Sequence, residues 1–124
     1  MPIISSQDAP TFDIPGVRFI GLAAPSRGAT ENAVWRVVMQ PGTPANVHRL
    51  SREEVLVAVS GSARVSIAGV ESELTAGSAV IVPPDTDFAL YNPGAEPFEA
   101  VAVLPVGGQA MRPGAPAFTP PWAE

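Results

Sequence analysis

Apolar and polar side chains alternate along this chain in short bursts, and almost every burst stops at glycine or proline. Residues 17–22 (Val-Arg-Phe-Ile-Gly-Leu) and 34–39 (Val-Trp-Arg-Val-Val-Met) are rich in β-branched and aromatic side chains, which suit a pleated, half-buried surface. The second burst ends at Pro41-Gly42, a turn signal. Residues 47–50 and 54–59 predict short strands on either side of Ser51-Arg52, and Gly61 predicts a tight turn. Residues 63–67 and 70–74 flank Ala68-Gly69, a two-residue hairpin signal. Three more bursts follow: 79–82 before Pro83-Pro84-Asp85, 88–92 before Pro93-Gly94, and 98–104 before Pro105. No window longer than ten residues keeps a helical period free of Gly and Pro, so helix content should be low. Short, evenly punctuated strands predict an all-β antiparallel sandwich or barrel.

The two ends read differently from this middle, which spans residues 16–112. Residues 1–15 carry Pro2, Pro10 and Pro15 among scattered apolar side chains and predict an extended N-terminal arm. Residues 113–124 hold four prolines with Phe118 and Trp122, and predict an extended tail that lays two aromatics on the barrel or on a second subunit. The alternative is a frayed terminus.

Composition narrows the chemistry. At 124 residues the chain is expected to be one domain with a self-sufficient core. It has no cysteine, so thiolate nucleophiles, disulfides and sulfur-ligated metals are excluded. All seven basic residues are arginine; without lysine there is no Schiff-base chemistry. The net charge of -5 argues against nucleic acid or an anionic membrane as partner. The N-terminal residues lack the basic and apolar regions of a secretory signal, and no run reaches the length of a membrane span. A cytoplasmic location is the expectation. One histidine, His48, and one tyrosine, Tyr91, leave a short acid–base repertoire.

Period-two counting places His48 and Leu50 on one face of their strand, and Glu54, Leu56 and Ala58 on one face of the next. Val55, Val57 and Val59 face the other way, so that strand should be packed on both sides. Phe88, Leu90 and Asn92 share a face by the same counting. Glu54 then requires either the barrel mouth or a partner, because a buried lone carboxylate is costly. Arg36 sits among apolar neighbours; turned inward it would bind a carboxylate or phenolate, turned outward it is a solvated charge.

The spacing of these residues carries a resemblance. Gly42-x5-His48-x-Leu50-x3-Glu54-x6-Gly61 and, further on, Gly77-x5-Pro83 with Asn92 nine positions later resemble the two short motifs of the cupin family over roughly residues 34–104. Those motifs read glycine-x5-histidine-x-histidine-x3-glutamate-x6-glycine and glycine-x5-proline-x-glycine-x2-histidine-x3-asparagine. The resemblance implies an antiparallel double-stranded β-helix, the jelly-roll barrel of cupins. It also implies that His48, Leu50, Glu54 and Phe88 converge inside the barrel, where metal-binding relatives carry three histidines and a glutamate. Leu50 and Phe88 replace two of those ligands, and Asp85 replaces the glycine of the second motif; aspartate tolerates turn geometry better than most residues. In another register Asn46 would stand for the first histidine, with Glu53 as the carboxylate, but the distances to Gly42 and Gly61 favour Glu54.

Two functions remain. One is binding of a small, partly apolar molecule in a cavity lined by Arg36, Asn46, Leu50, Leu56, Phe88 and Leu90, without a tightly held metal. The other is an enzyme: His48 and Glu54 as an acid–base dyad for isomerisation, epimerisation or cyclisation of a small carbonyl compound, or the same pair, helped by the Asn46 amide, weakly holding zinc, iron, manganese or nickel for oxygenase chemistry. In a dyad the carboxylate would orient the imidazole and raise its pKa. His48 can equally be a space-filling histidine bonded to a neighbour. Small cupins often pair through a sheet edge, so a homodimer is expected.

Overall fold

The computed structural model describes residues 3–124 and is built from eleven strands. They are β1 (Thr11–Ile14), β2 (Val17–Ala23), β3 (Asn32–Met39), β4 (Arg49–Leu50), β5 (Glu54–Ser60), β6 (Ser62–Ile67), β7 (Val70–Thr75), β8 (Ala79–Val82), β9 (Phe88–Tyr91), β10 (Phe98–Pro105) and β11 (Ala110–Met111). One six-stranded antiparallel sheet runs β1-β2-β3-β10-β5-β8. Facing it are a three-stranded sheet, β7-β6-β9, and a two-stranded one, β11-β4, which the His48–Phe88 bridge joins at β9. This is the jelly-roll barrel. Among the described residues helix is confined to single 3₁₀ turns at Pro25–Arg27 and Pro121–Ala123, and no helix there is long and apolar enough to cross a membrane.

Alternation decides which side chains enter the core. On β3 the odd residues Ala33, Trp35, Val37 and Met39 are buried, and on β10 the even residues Phe98, Ala100, Ala102 and Leu104 are. These rows meet across the β3–β10 ladder, where Trp35 opposes Ala102 and Leu104 opposes Ala33, so large side chains lie beside small ones and fill the space between the strands. Residues 11–14 were expected to belong to an arm without periodicity. They instead form the edge strand β1, because Pro15-Gly16 turns the chain back and pairs Ile14 with Val17.

The turns follow local chemistry. Gly61 has φ +73°, and a Cβ there would collide with the Pro97 carbonyl oxygen, so only glycine fits between β5 and β6. Ala68 and Gly69 both adopt positive φ, +49° and +81°, the two-residue geometry that matches strand twist. Asp85 occupies the left-handed region at φ +54°. Asn92 is buried: its Nδ2 donates to the Met39 and Glu96 carbonyls, and its Oδ1 accepts from the Gly94 amide. It ties the loop after β9 to the end of β3, a structural role.

The outer face of β5 differs from expectation. Val57 and Val59 are 38% and 47% exposed, so the six-stranded sheet is covered on one side only. A run apolar on both faces does not by itself distinguish a doubly covered strand from one whose second face is open.

Candidate functional site

Inside the barrel lies a cavity of about 260 Å³. His48 and Leu50 reach it from β4 and the residues just before, Glu54 and Leu56 from β5, and Phe88 and Leu90 from β9. Trp35, Val37 and Met39 of β3 and Phe19 of β2 form the opposite wall. The C-terminal tail closes the remainder with Phe118, Pro120 and Trp122. Trp122 lies parallel to Phe19, with ring centroids 3.6 Å apart and an interplanar angle of 1°. Most of the lining is therefore apolar, and the polar side chains are few: Glu54, His48, Asn46, Thr43 and Arg112.

Glu54 is 5% exposed, and its side chain makes no hydrogen bond or ion pair among the described residues. Burial pushes its carboxyl up to about 8, so at neutral pH it holds its proton and is a hydrogen-bond donor. Glu53, next along the strand, is exposed.

His48 is oriented by the backbone. Its Nδ1 lies 2.9 Å from the Asn46 carbonyl oxygen, and since a carbonyl only accepts, Nδ1 carries the hydrogen and Nε2 keeps the lone pair. The ring tilts 51° against Phe88 at 4.2 Å between centroids. Burial lowers the pKa of His48; the Asn46 carbonyl raises it and the nearby Arg112 guanidinium lowers it. The imidazole is neutral at pH 7 and free to accept at Nε2. The expected dyad thus takes another form, since Glu54 neither bonds to His48 nor raises its pKa.

The structure brings Asn46, His48, Leu50, Glu54, Leu56, Phe88 and Leu90 to one cavity. Arg36 is not among them. As an even residue of β3 it points to the outer face, where Nε and Nη2 donate to Glu99 at 3.0 and 2.9 Å and Nη1 donates to Ser6. Its alternation opposite Trp35 and Val37 is visible in the sequence and would have placed it there. The cavity's own arginine is Arg112, an exposed residue whose guanidinium stands 5.6 Å above the Phe118 ring. No motif or periodicity marks it.

The donor set does not suit a resident metal. Among the described residues no three His, Cys, Asp or Glu side chains cluster. Of the four positions where ligands converge in metal-binding cupins, two are the hydrocarbon side chains Leu50 and Phe88. One imidazole and one carboxyl leave most of a divalent ion's coordination unfilled by protein.

Comparison with known proteins agrees with the barrel and its two motifs. The family model described as Cupin domain matches residues 35–104, more than half of the chain. The protein belongs to the cupin family. No curated protein matches it in sequence. Among solved structures it is similar to an RmlC-like cupin from Shewanella frigidimarina, at 22% identity and TM-score 0.72, covering 83% of this chain and 88% of that one. It is also similar to the polyketide cyclase RemF from Streptomyces resistomycificus, at 15% identity and TM-score 0.77, covering 94% and 87%. A Cupin 2 conserved barrel domain protein from Salinispora arenicola shares 23% identity at TM-score 0.68, covering 83% and 87%. At these identities the likeness is one of fold, and the barrel hosts many functions.

Proposed function

We propose that the protein binds a small, largely apolar molecule inside its barrel, without a tightly held metal. The observation that carries this reading is the replacement of metal-ligand positions by Leu50 and Phe88 on the wall of a largely apolar cavity, in which the Glu54 carboxyl and the His48 Nε2 have no protein partner among the described residues. The Trp122 indole N–H on the same wall is buried without a partner among the described residues; an unpaired buried polar group costs about 1–3 kcal/mol, and a ligand acceptor relieves it. Two tryptophans, Trp35 and Trp122, line the cavity, so their emission reports occupancy. A screen of small cyclic compounds by tryptophan emission should yield saturable binders that fail on a Leu50→Asp variant of retained fold. A screen in which every binder survives that change counts against the cavity as the site. Elemental mass spectrometry of untagged protein, purified without chelator, is expected to find substoichiometric metal; near-stoichiometric metal lost in His48→Ala overturns the metal-free part.

A second reading rests on the protonation states. The cavity holds an acid that keeps its proton at neutral pH, Glu54, and a base that lacks one, His48. Such a pair suits enolisation, isomerisation or cyclisation of a small carbonyl compound, with His48 Nε2 removing a proton and Glu54 supplying one to the carbonyl oxygen. One structure of similar fold is a polyketide cyclase, so this barrel is compatible with ring-forming carbonyl chemistry. This reading requires His48→Ala and Glu54→Gln each to abolish turnover while the fold and ligand binding persist.

A further inference from the structure

The charges around the cavity are unevenly distributed, and this constrains what enters it. Four of the seven arginines are neutralised in ion pairs: Arg18 with Asp13, Arg36 with Glu99, Arg49 with Asp87 and Arg64 with Glu71. Arg27 donates to the Leu22 carbonyl and the Ser26 hydroxyl. Arg52 and Arg112 make no ion pair among the described residues, and of the seven arginines Arg112 alone lines the cavity. It is exposed while Glu54 is buried, so the cation marks the mouth and the carboxyl the interior. Glu54, the single acidic side chain of the lining, is not bonded to it. In a chain of net charge -5, an unpaired guanidinium at the rim of an apolar cavity is a local attractor for an anion against a repelling background.

The walls constrain the remainder of the molecule. Phe19, Trp35, Phe88, Phe118 and Trp122 all line the cavity, and Phe118 lies directly under the Arg112 guanidinium. Flat aromatic faces favour flat ligands through offset or edge contacts. A volume of about 260 Å³ falls just under the roughly 300–1,000 Å³ of ligand pockets, enough for one or two rings. We propose that the cavity takes a small aromatic carboxylate, its ring on the aromatic walls and its carboxylate at Arg112. This deepens the cavity-binding reading and rests on it.

The test separates the two. Isothermal titration of the intact protein with benzoate, salicylate and 2-naphthoate, each beside its methyl ester, should show at least one acid binding about tenfold more tightly than its ester at low salt, the worth of one charge-assisted contact. Arg112→Gln should remove that preference while leaving ester binding in place, and added salt should erode it in the wild type. Arg112 is exposed, so the variant should keep the wild-type melting temperature, which serves as the folding control. Equal binding of acids and esters, or a preference that survives Arg112→Gln, overturns the carboxylate inference and leaves the cavity reading standing. Failure of every acid and every ester to bind overturns both.

Discussion

Two residues hold conformations or charge states at odds with their ordinary preferences, and each has a measurable consequence. Glu54 has a folded-state pKa of about 8 against an ordinary 4.5, so between those values the unfolded chain ionises while the native chain keeps its proton. Stability conferred this way is complete below the unfolded pKa and is lost as pH rises through the folded one, at up to about 1.4 kcal/mol per pH unit. His48 acts in the opposite direction: its pKa is lowered from 6.5, so its contribution is present above that value and is lost on acidification. Above pH 6.5 the His48 contribution fades and Glu54 dominates, so denaturant unfolding should show wild-type stability falling by about 1 kcal/mol between pH 6.5 and 8. Glu54→Gln should lose this decline; a parallel fall in the variant would assign the effect elsewhere. Ala68 is exposed and sits at φ +49°, a conformation that costs a residue with a Cβ roughly 1–2 kcal/mol. Ala68→Asn should recover about 1 kcal/mol, read as a rise of about 4 °C in melting temperature. No change would mean that the hairpin relaxes without strain.

Among the elements, strands bounded by Gly and Pro were legible and those defined only by distant partners were not. Residues 79–82 needed no tertiary knowledge, because turn residues bracket a short apolar run, and β8 has those bounds. Strand β11 has two residues and no pattern of its own; it exists because Ala110 pairs with Leu50 and bridges to Phe118. The same division runs through the site. Period-two counting fixes which neighbours share a face, and so groups Glu54 with Leu56 and Phe88 with Leu90. It says nothing about which wall a tail far along the chain will complete, so Arg112, Phe118 and Trp122 could not be assigned to the cavity from their own positions. The tail is held by reciprocal backbone bonds between Ala110 and Phe118 of 2.8 and 3.0 Å, by the Ser26 hydroxyl donating to the Glu124 carbonyl, and by the Phe19–Trp122 stack. Trp122→Ala removes the largest of these contacts and should cost about 3 kcal/mol in denaturant unfolding. If the stack seats the tail, the Phe118 amide should also exchange with solvent faster by hydrogen-exchange mass spectrometry. Unchanged protection would mean that the backbone bridge alone retains the segment.

At the scale of the whole molecule, the large sheet has one face that no other element covers among the described residues. Val57, Val59 and Ile81 are 38%, 47% and 61% exposed on its outer side, and they adjoin through the ladders that pair Val57 with Val101, Val55 with Val103 and Val55 with Ile81. Nearby on the same face, Arg36 and Glu99 cancel one another's charge. A contiguous apolar strip with its charges internally paired is self-complementary, as a two-fold interface must be, and it lets two chains of net charge -5 approach where neither presents an uncompensated charge. We propose that the protein forms a homodimer through this face, burying the roughly 800 Å² per partner of a standard interface. Light scattering after gel filtration should give twice the chain mass. The double variant Val57→Lys, Ile81→Lys changes only outward positions, so it should give the single-chain mass with the fold and cavity binding intact. A wild type that runs as one chain overturns the proposal, and a variant that remains paired moves the interface off this face.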